Sequence, residues 1–329
     1  MPELKTSYMG LELSNPVIVG SCDLTRNVAG ILRCEEAGAG AVVLKSIFEE
    51  QFLDEDILKK ESSIHPEAVD YLRSGGLLDY APQKMVSVIE EAKKKVRIPI
   101  IASINCQSLK LWPRFAKQFE DAGADGLELN IYFLPLDPSI TSSKYDEFHL
   151  QILRKIKETV SIPVSVKLNS QITSIPYLAH SLAEAGCDAL VLFNWFLEPD
   201  IEVERMRTKH ARGHGNFHQS LRWVALTAGR VRCDIASSGG LRDGDDLIKQ
   251  ILAGAKAVQA CTVLYKRGLG VIKEFLARLE SWMEAHRFAS VEDFRGELSF
   301  KRQELSFKGL GEAKAYFRVQ YMKTYKRFE

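Results

Sequence analysis

A short module recurs along this chain wherever a helical pattern gives way to an apolar run. Asp121-Ala122-Gly123-Ala124-Asp125 precedes Gly126-Leu127-Glu128-Leu129-Asn130, and Ala185-Gly186-Cys187-Asp188 precedes Ala189-Leu190-Val191-Leu192-Phe193-Asn194. A related Ala-Gly-Ala stands at Ala37-Gly38-Ala39 and again at Ala253-Gly254-Ala255. A glycine just past a helix end lets the backbone turn left-handed, and a wholly apolar run after it suits a strand buried on both faces. Apolar runs opened by proline, at Pro16-Val17-Ile18-Val19, Pro99-Ile100-Ile101 and Pro163-Val164-Ser165-Val166, supply further strands. Counting gives eight candidate strands, starting near residues 17, 41, 99, 127, 163, 189, 233 and 256. Strands that alternate with helices pair in parallel through right-handed crossovers, and eight of them close most economically as an α/β (β/α)8 TIM barrel. A doubly wound open sheet is the alternative, but the first strand is not followed by Gly-x-Gly-x-x-Gly.

Two connections are longer than a simple crossover needs, residues 49–80 after the second strand and 196–220 after the sixth. Both fall on the C-terminal face of the barrel, where such folds carry their sites. An amphipathic helix from Val271 to His286 follows the last strand. The division expected is a barrel over residues 1–300 and a C-terminal tail over 301–329. The tail is rich in Lys, Arg and aromatic residues, but a formal net charge of +1 and 26% charged residues favour packing or dimer contact over nucleic-acid binding. No signal-peptide pattern and no run of 18 apolar residues occur, so a cytoplasmic protein without a membrane contact is expected. Six scattered cysteines contain no Cys-x-x-Cys pair, and no metal site or iron–sulfur centre is indicated.

In a barrel, polar side chains at the C-terminal ends of strands are site candidates. They are Ser21, Lys45 and Ser46, Ser103 and Asn105, Asn130, Lys167, Asn194, Ser237 and Ser238, and finally Cys261 and Thr262. Some of them could simply cap the next helix. Lys45 and Lys167 are harder to explain that way, because each ends an apolar strand and a buried ammonium needs an anionic partner. The turn Ser238-Gly239-Gly240, with Cys261-Thr262 after the last strand, forms the kind of backbone cradle that holds a phosphate. Together they suit a ligand with delocalised negative charge and a phosphate tail.

Asn15-Pro16…Gly20-Ser21, Leu44-Lys45-Ser46, Leu127-Glu128-Leu129-Asn130, Val166-Lys167-Leu168, Asn194, Ser238-Gly239-Gly240, Gly254-Ala255…Val258-Gln259…Thr262 and Ser290-Val291-Glu292-Asp293-Phe294-Arg295-Gly296 follow one another in the order and spacing of a known family. In these residues, spanning about 4–300, the chain resembles the dihydroorotate dehydrogenases, and most closely their soluble class. The resemblance implies an FMN-dependent oxidoreductase of pyrimidine biosynthesis that acts on a CH–CH donor, in a homodimer. It implies that Gly20, Ser21, Lys45, Ser46, Asn105, Asn130, Lys167, Ser238, Gly239, Gly240, Cys261 and Thr262 hold FMN. Lys45 and Lys167 would meet its polar edge, where the reduced ring is anionic.

The substrate half departs from that pattern. Where the soluble class has Ser-Cys after the fourth-strand motif, with the catalytic base, this chain has Tyr132-Phe133, and phenylalanine cannot accept a proton. The substrate segment Met-Gly-Leu-Pro-Asn is replaced by Ser74-Gly75-Gly76-Leu77-Leu78-Asp79, and only Asn130 and Asn194 match the asparagines that grip orotate. Lost hydrogen-bond partners cost affinity, so a small, anionic substrate that differs from dihydroorotate, or is bound differently from it, is expected. Tyr132, Cys106, Cys22 and Asp23 are candidate proton carriers beside Lys45, and Arg212, in a basic stretch with Arg205, Arg207, Lys209, His210, His214 and His218, is a candidate anion contact on a lid. Two readings compete: a non-redox lyase or isomerase using Lys167 as a Schiff base over a phosphate site, and a flavin-binding protein without activity. A flavin barrel that modifies tRNA is weaker, since it would want a basic surface.

Overall fold

The computed structural model of the chain describes residues 2–48, 82–106, 112–195, 199–210 and 216–302. Eight strands lie where the sequence places them: β1 Val17–Val19, β2 Ala41–Val43, β3 Ile100–Cys106, β4 Gly126–Ile131, β5 Val164–Asn169, β6 Ala189–Asn194, β7 Asp234–Ser238 and β8 Ala257–Ala260. Each pairs in parallel with its neighbours, and β8 pairs with β1, so the sheet closes into the barrel. Helices α1 Val28–Glu36, α2 Pro82–Lys93, α3 Trp112–Asp121, α4 Ser142–Lys157, α5 Ile175–Glu184, α6 Phe217–Thr227, α7 Gly244–Ala253 and α8 Val271–His286 lie in the connections and after β8. The four module glycines, Gly38, Gly123, Gly186 and Gly254, all take positive φ between 92° and 116°. That is the left-handed turn which made the module readable.

Within each strand the side chains alternate between two apolar layers. Val17, Val19, Val42, Leu127, Leu129 and Val166 join the larger core beneath the helices. Ile18, Ala41, Val43, Ile101, Ala189, Val191, Ala236 and Ala257 point inside the barrel. The floor of that interior is a feature the sequence did not announce, an antiparallel hairpin of Thr6–Tyr8 and Leu11–Leu13. Its Tyr8, Met9 and Leu13 are buried with the interior side chains, and the Met9 amide donates to Asp234 Oδ2 at 2.9 Å. With one end stoppered, access is confined to the C-terminal face.

The shell is tied at its turns by short polar locks. Glu120, at the end of α3, accepts from Ser161 N and Oγ and from Ile162 N ahead of β5, and pairs with Lys117. Burial raises its carboxyl, but the Lys117 ammonium, the Ser161 hydroxyl and the two amides outweigh this and bring it down to about 2 from 4.5. A depressed acid stabilises the fold fully above its unfolded value and loses that contribution as pH falls through the folded one. Glu120→Gln is therefore expected to remove stability at pH 7 and to flatten the acid limb between about pH 4.5 and 2. Urea midpoints measured across that range check it.

Two details revise expectations. The connection after β6 contains a second antiparallel ribbon, Pro199–Glu202 with Arg207–His210. Its basic residues face acids of the same ribbon: Arg205 and Arg207 pair with Glu202, and Lys209 with Asp200. Those three cations thus have acidic partners within the ribbon. Arg212 and His214, the substituted segment at residues 74–79 and the tail beyond 302 lie outside the described residues.

Candidate active site

Register sets the site. Asn105 on β3 is level with Asn130 on β4, and Asn130 with Lys167 on β5. One step below, Ser103 is level with Glu128, and across the barrel Ser238 on β7 is level with Gln259 on β8. These positions continue the inward parity of the apolar interior, so polar side chains take over at its C-terminal end.

The arrangement has three parts. The first is a buried network: Lys167 Nζ donates to Gln259 Oε1 at 2.9 Å and stands 3.5 Å from Glu128 Oε1, while Gln259 Nε2 donates to Glu128 Oε2. Lys167 is 6% exposed and Glu128 1%, so each charge depends on the other for compensation. Neither Glu128 nor Gln259 stood out in the sequence as a functional residue, although both share the inward parity of their neighbours. The second part is a hydroxyl chain. Ser21 Oγ lies 2.9 Å from Ser46 Oγ, which lies 2.7 Å from Ser103 Oγ, and the Ser46 amide donates to Ser21 Oγ. Lys45, beside Ser46, sits over the Phe48 ring at 5.7 Å.

The third part is the turn after β7. Gly239 and Gly240 take φ of +98° and +75°, and a Cβ on Gly239 would stand 1.9 Å from Trp195 Nε1. The indole, which donates to Ser238 O at 3.0 Å, therefore packs on the glycine backbone itself. Trp195 is a contact the sequence gave no reason to single out. A cavity of about 210 Å³ is lined by Ser21, Lys167, Asn194, Trp195, Ser238, Gly239, Gly240, Leu241, Gln259, Cys261 and Thr262. A second, of about 360 Å³, shares Gly240, Leu241 and Thr262 with it and adds His218, Arg242, Lys266 and Arg267. Basic side chains thus gather beside the glycine turn, next to the site expected for a phosphate.

The expected cofactor residues are thereby brought to one end of the barrel. Gly20 closes the gap between β1 and β8, where an added Cβ would meet Cys261 Sγ at 2.7 Å. Both amide atoms of Asn105 and Oδ1 of Asn130 are buried without a hydrogen-bond partner among the described residues. Buried polar groups are rarely left unpaired in a finished site. A planar, polar-edged ring carrying a phosphate fits this donor and acceptor set, and FMN is such a group. Removing an unsatisfied amide relieves a cost, so Asn105→Ala is expected to leave the FMN-free protein as stable as before, or more so, while weakening FMN binding about 10-fold. Thermal melts with and without FMN test the pair of effects.

Of the proton carriers, Tyr132 is buried and Phe133 packs on Tyr145, Phe148 and His149 of α4 at 5.4–6.0 Å between ring centroids. Phe133 keeps the outward parity of Leu129 and Ile131. The substitution thus turns phenylalanine onto the helix and leaves Tyr132 as the buried residue between it and the end of β4. Cys106 ends β3, level with Ile131. Lys167, the residue a Schiff base would use, donates to the Gln259 amide oxygen beside the Glu128 carboxylate.

The family model for dihydroorotate dehydrogenase matches residues 3–283. The chain belongs to the dihydroorotate dehydrogenase family. It is 27% identical over 320 residues to the catalytic subunit of dihydroorotate dehydrogenase B (NAD(+)) of Thermoplasma volcanium, covering 90% of this chain and 98% of that one. It is 23% identical to the chloroplastic dihydropyrimidine dehydrogenase (NADP(+)) of Arabidopsis thaliana, over 90% of this chain and 76% of that one. The crystal structure of the dihydroorotate dehydrogenase of Eimeria tenella in complex with ferulenol superposes with a TM-score of 0.64 at 18% identity, covering 90% and 88% of the two chains, which bears on the fold. Family membership makes this chain an oxidoreductase of the kind that acts on CH–CH groups. No described helix is long and apolar enough to cross a membrane, and no cluster of metal-ligating side chains occurs among the described residues.

Proposed function

We propose that this chain binds FMN at the C-terminal mouth of the barrel and exchanges a hydride with a small anionic CH–CH substrate that is not held as dihydroorotate is held. Bound FMN supplies a ring that accepts a hydride and carries the resulting negative charge at its N1–C2=O edge. Lys167, fixed by Gln259 and Glu128, presents positive charge for that edge, and Lys45, just after β2, is the second cation for it. Asn105 and Asn130 offer the amide atoms left unpaired. Ser21 faces the ring from the cavity wall with Gly20 before it and Ser46 bonded to it, and Ser238, Gly239, Gly240, Cys261 and Thr262 offer the cradle for the phosphate. The observation that carries the reading is that the Lys167 ammonium and the glycine turn line one cavity.

The substrate reading rests on Phe133, which leaves no Ser or Cys at the family's base position. The phenolic oxygen of Tyr132 takes the proton in its place while passing its own hydroxyl proton on to water, with Asn130 and Asn194 on the substrate. Positioned proton transfer contributes about 100-fold or more, so Tyr132→Phe is expected to slow flavin reduction by at least that factor while FMN stays bound. Anaerobic addition of dihydroorotate to the FMN-loaded protein tests the substrate. The reading expects the flavin band to persist with dihydroorotate and to bleach with dithionite. Rapid bleaching by dihydroorotate that is unaltered in Tyr132→Phe contradicts it. A cytoplasmic homodimer is part of the same proposal, and sedimentation of the purified chain at two concentrations tests the dimer.

A further inference from the structure

Two thiols meet where β1 and β8 end. The Gly20 amide donates to Ala260 O at 3.0 Å, which brings the residues after β1 alongside those after β8. Cys261 Sγ fills the space that a Cβ on Gly20 would occupy, 2.7 Å from that position, and lies 3.9 Å from Ser21 O. Cys22, 7% exposed, directly follows Ser21, so the carbonyl that Cys261 Sγ approaches is the one joined to the Cys22 amide. Tyr265, in the short helix Thr262–Arg267 after Cys261, closes the group by accepting from the Asp23 amide at 2.8 Å.

The two sulfurs are not equivalent. The hydrogen bond from Cys261 lowers the Cys22 thiol; burial opposes it, and the Leu24 amide, Tyr265 and Lys45 add to the lowering, leaving Cys22 at about 7. The same hydrogen bond, with burial, pushes Cys261 up. One sulfur thus carries thiolate near neutrality while its neighbour keeps the proton, the pairing of an attacking thiol with a resolving one. By contrast Cys34, also buried, is pushed up to about 12 by burial. Cys261 lines the 210 Å³ cavity together with Ser21, the residue that precedes Cys22.

We propose that Cys22 and Cys261 form a redox-modification site, a dithiol that a hydroperoxide converts to an intramolecular disulfide. The Cys22 thiolate attacks one peroxide oxygen, the O–O bond breaks, and hydroxide leaves. Cys261 sulfur then attacks the Cys22 sulfenic acid, the S–O bond breaks, and the Cys261 proton goes to the departing hydroxide. In sum two thiols lose two electrons and two protons, and hydrogen peroxide becomes two waters. A dithiol reductant reverses the change through thiol–disulfide exchange. The disulfide would join the ends of β1 and β8, the strands flanking the cavity. The proposal does not depend on which ligand that cavity holds.

The test uses the full-length protein, with and without FMN, treated with one equivalent of hydrogen peroxide at pH 7.5, alkylated and digested without reduction. The expected product is a cross-linked pair of peptides containing Cys22 and Cys261, lighter by two hydrogens than the separate peptides and released by dithiothreitol, while Cys34 remains alkylated. Cys22→Ser should leave Cys261 alkylated, and Cys261→Ser should trap Cys22 as a sulfenic acid that a dimedone probe labels. Thiols that both stay alkylatable, or a Cys22 oxidised without linkage to Cys261 in the unmutated protein, would overturn the proposal. Because the readout is a peptide mass, it stands or falls separately from any assignment of the cofactor.

Discussion

Replacing Lys167 by alanine is expected to destabilise the fold by about 3–5 kcal/mol and to abolish flavin reduction. The ammonium is 6% exposed and faces Glu128, itself 1% exposed, so truncation leaves a carboxylate inside the barrel with only Gln259 as a partner. The stability loss comes from that stranded charge and the catalytic loss from the missing cation at the ring edge. Lys167→Ala combined with Glu128→Gln separates the two, because the second change removes the charge while keeping a donor and acceptor beside Gln259. The double variant should recover most of the urea midpoint and none of the flavin reduction. Additive losses in the double variant would mean that the pair is not coupled.

Gly239→Ala is expected to weaken FMN binding by at least about 100-fold, equivalent to roughly 2.7 kcal/mol. The new methyl would have to occupy the place of the Trp195 indole, 1.9 Å from its Nε1, on a backbone at φ +98° that side chains rarely adopt. Either the indole leaves Ser238 or the turn flattens, and both disturb the cradle. Gly268→Ala serves as the control, since it has φ +81° but open space around it. That change should cost stability of order 1 kcal/mol through strain and leave FMN binding intact. Trp195→Ala introduced with Gly239→Ala should restore part of the affinity, which fluorescence titration with FMN measures. Full affinity in the single variant would remove the glycine turn from the phosphate site.

The barrel was legible because its turns are chemical. Gly38, Gly123, Gly186 and Gly254 mark helix ends by conformation, and the strands after them are apolar on both faces, which only a covered parallel sheet accepts. The same property hid part of the site. When both faces of a strand are buried, the period of two that separates inside from outside vanishes from hydropathy, and Glu128 and Gln259 lie within such strands. Their side of the barrel becomes evident only from the parity of Asn130 and Cys261. Lys45 and Lys167 were visible because an ammonium at the end of an apolar strand demands a reason.

The connections were least legible. The ribbon of Pro199–Glu202 and Arg207–His210 is held by cross-strand pairs between opposite charges, such as Asp200 with Lys209, and a sequence full of charge reads as a solvated loop. The hairpin that stoppers the barrel floor has three-residue strands, too short to show a period. Phe133 was read as unable to act as a base from its chemistry alone, but its direction onto α4 depends on the aromatic neighbours Tyr145, Phe148 and His149.

The most direct test of the central claim, FMN held between the Lys167 network and the Ser238-Gly239-Gly240 turn, is the visible spectrum of the purified protein after reconstitution with FMN and removal of the excess. An oxidised-flavin band at one FMN per chain in the unmutated protein, and its loss in Gly239→Ala but not in Gly268→Ala, is the predicted result. A protein that retains no flavin under these conditions, or one that retains it equally in Gly239→Ala, would contradict the account.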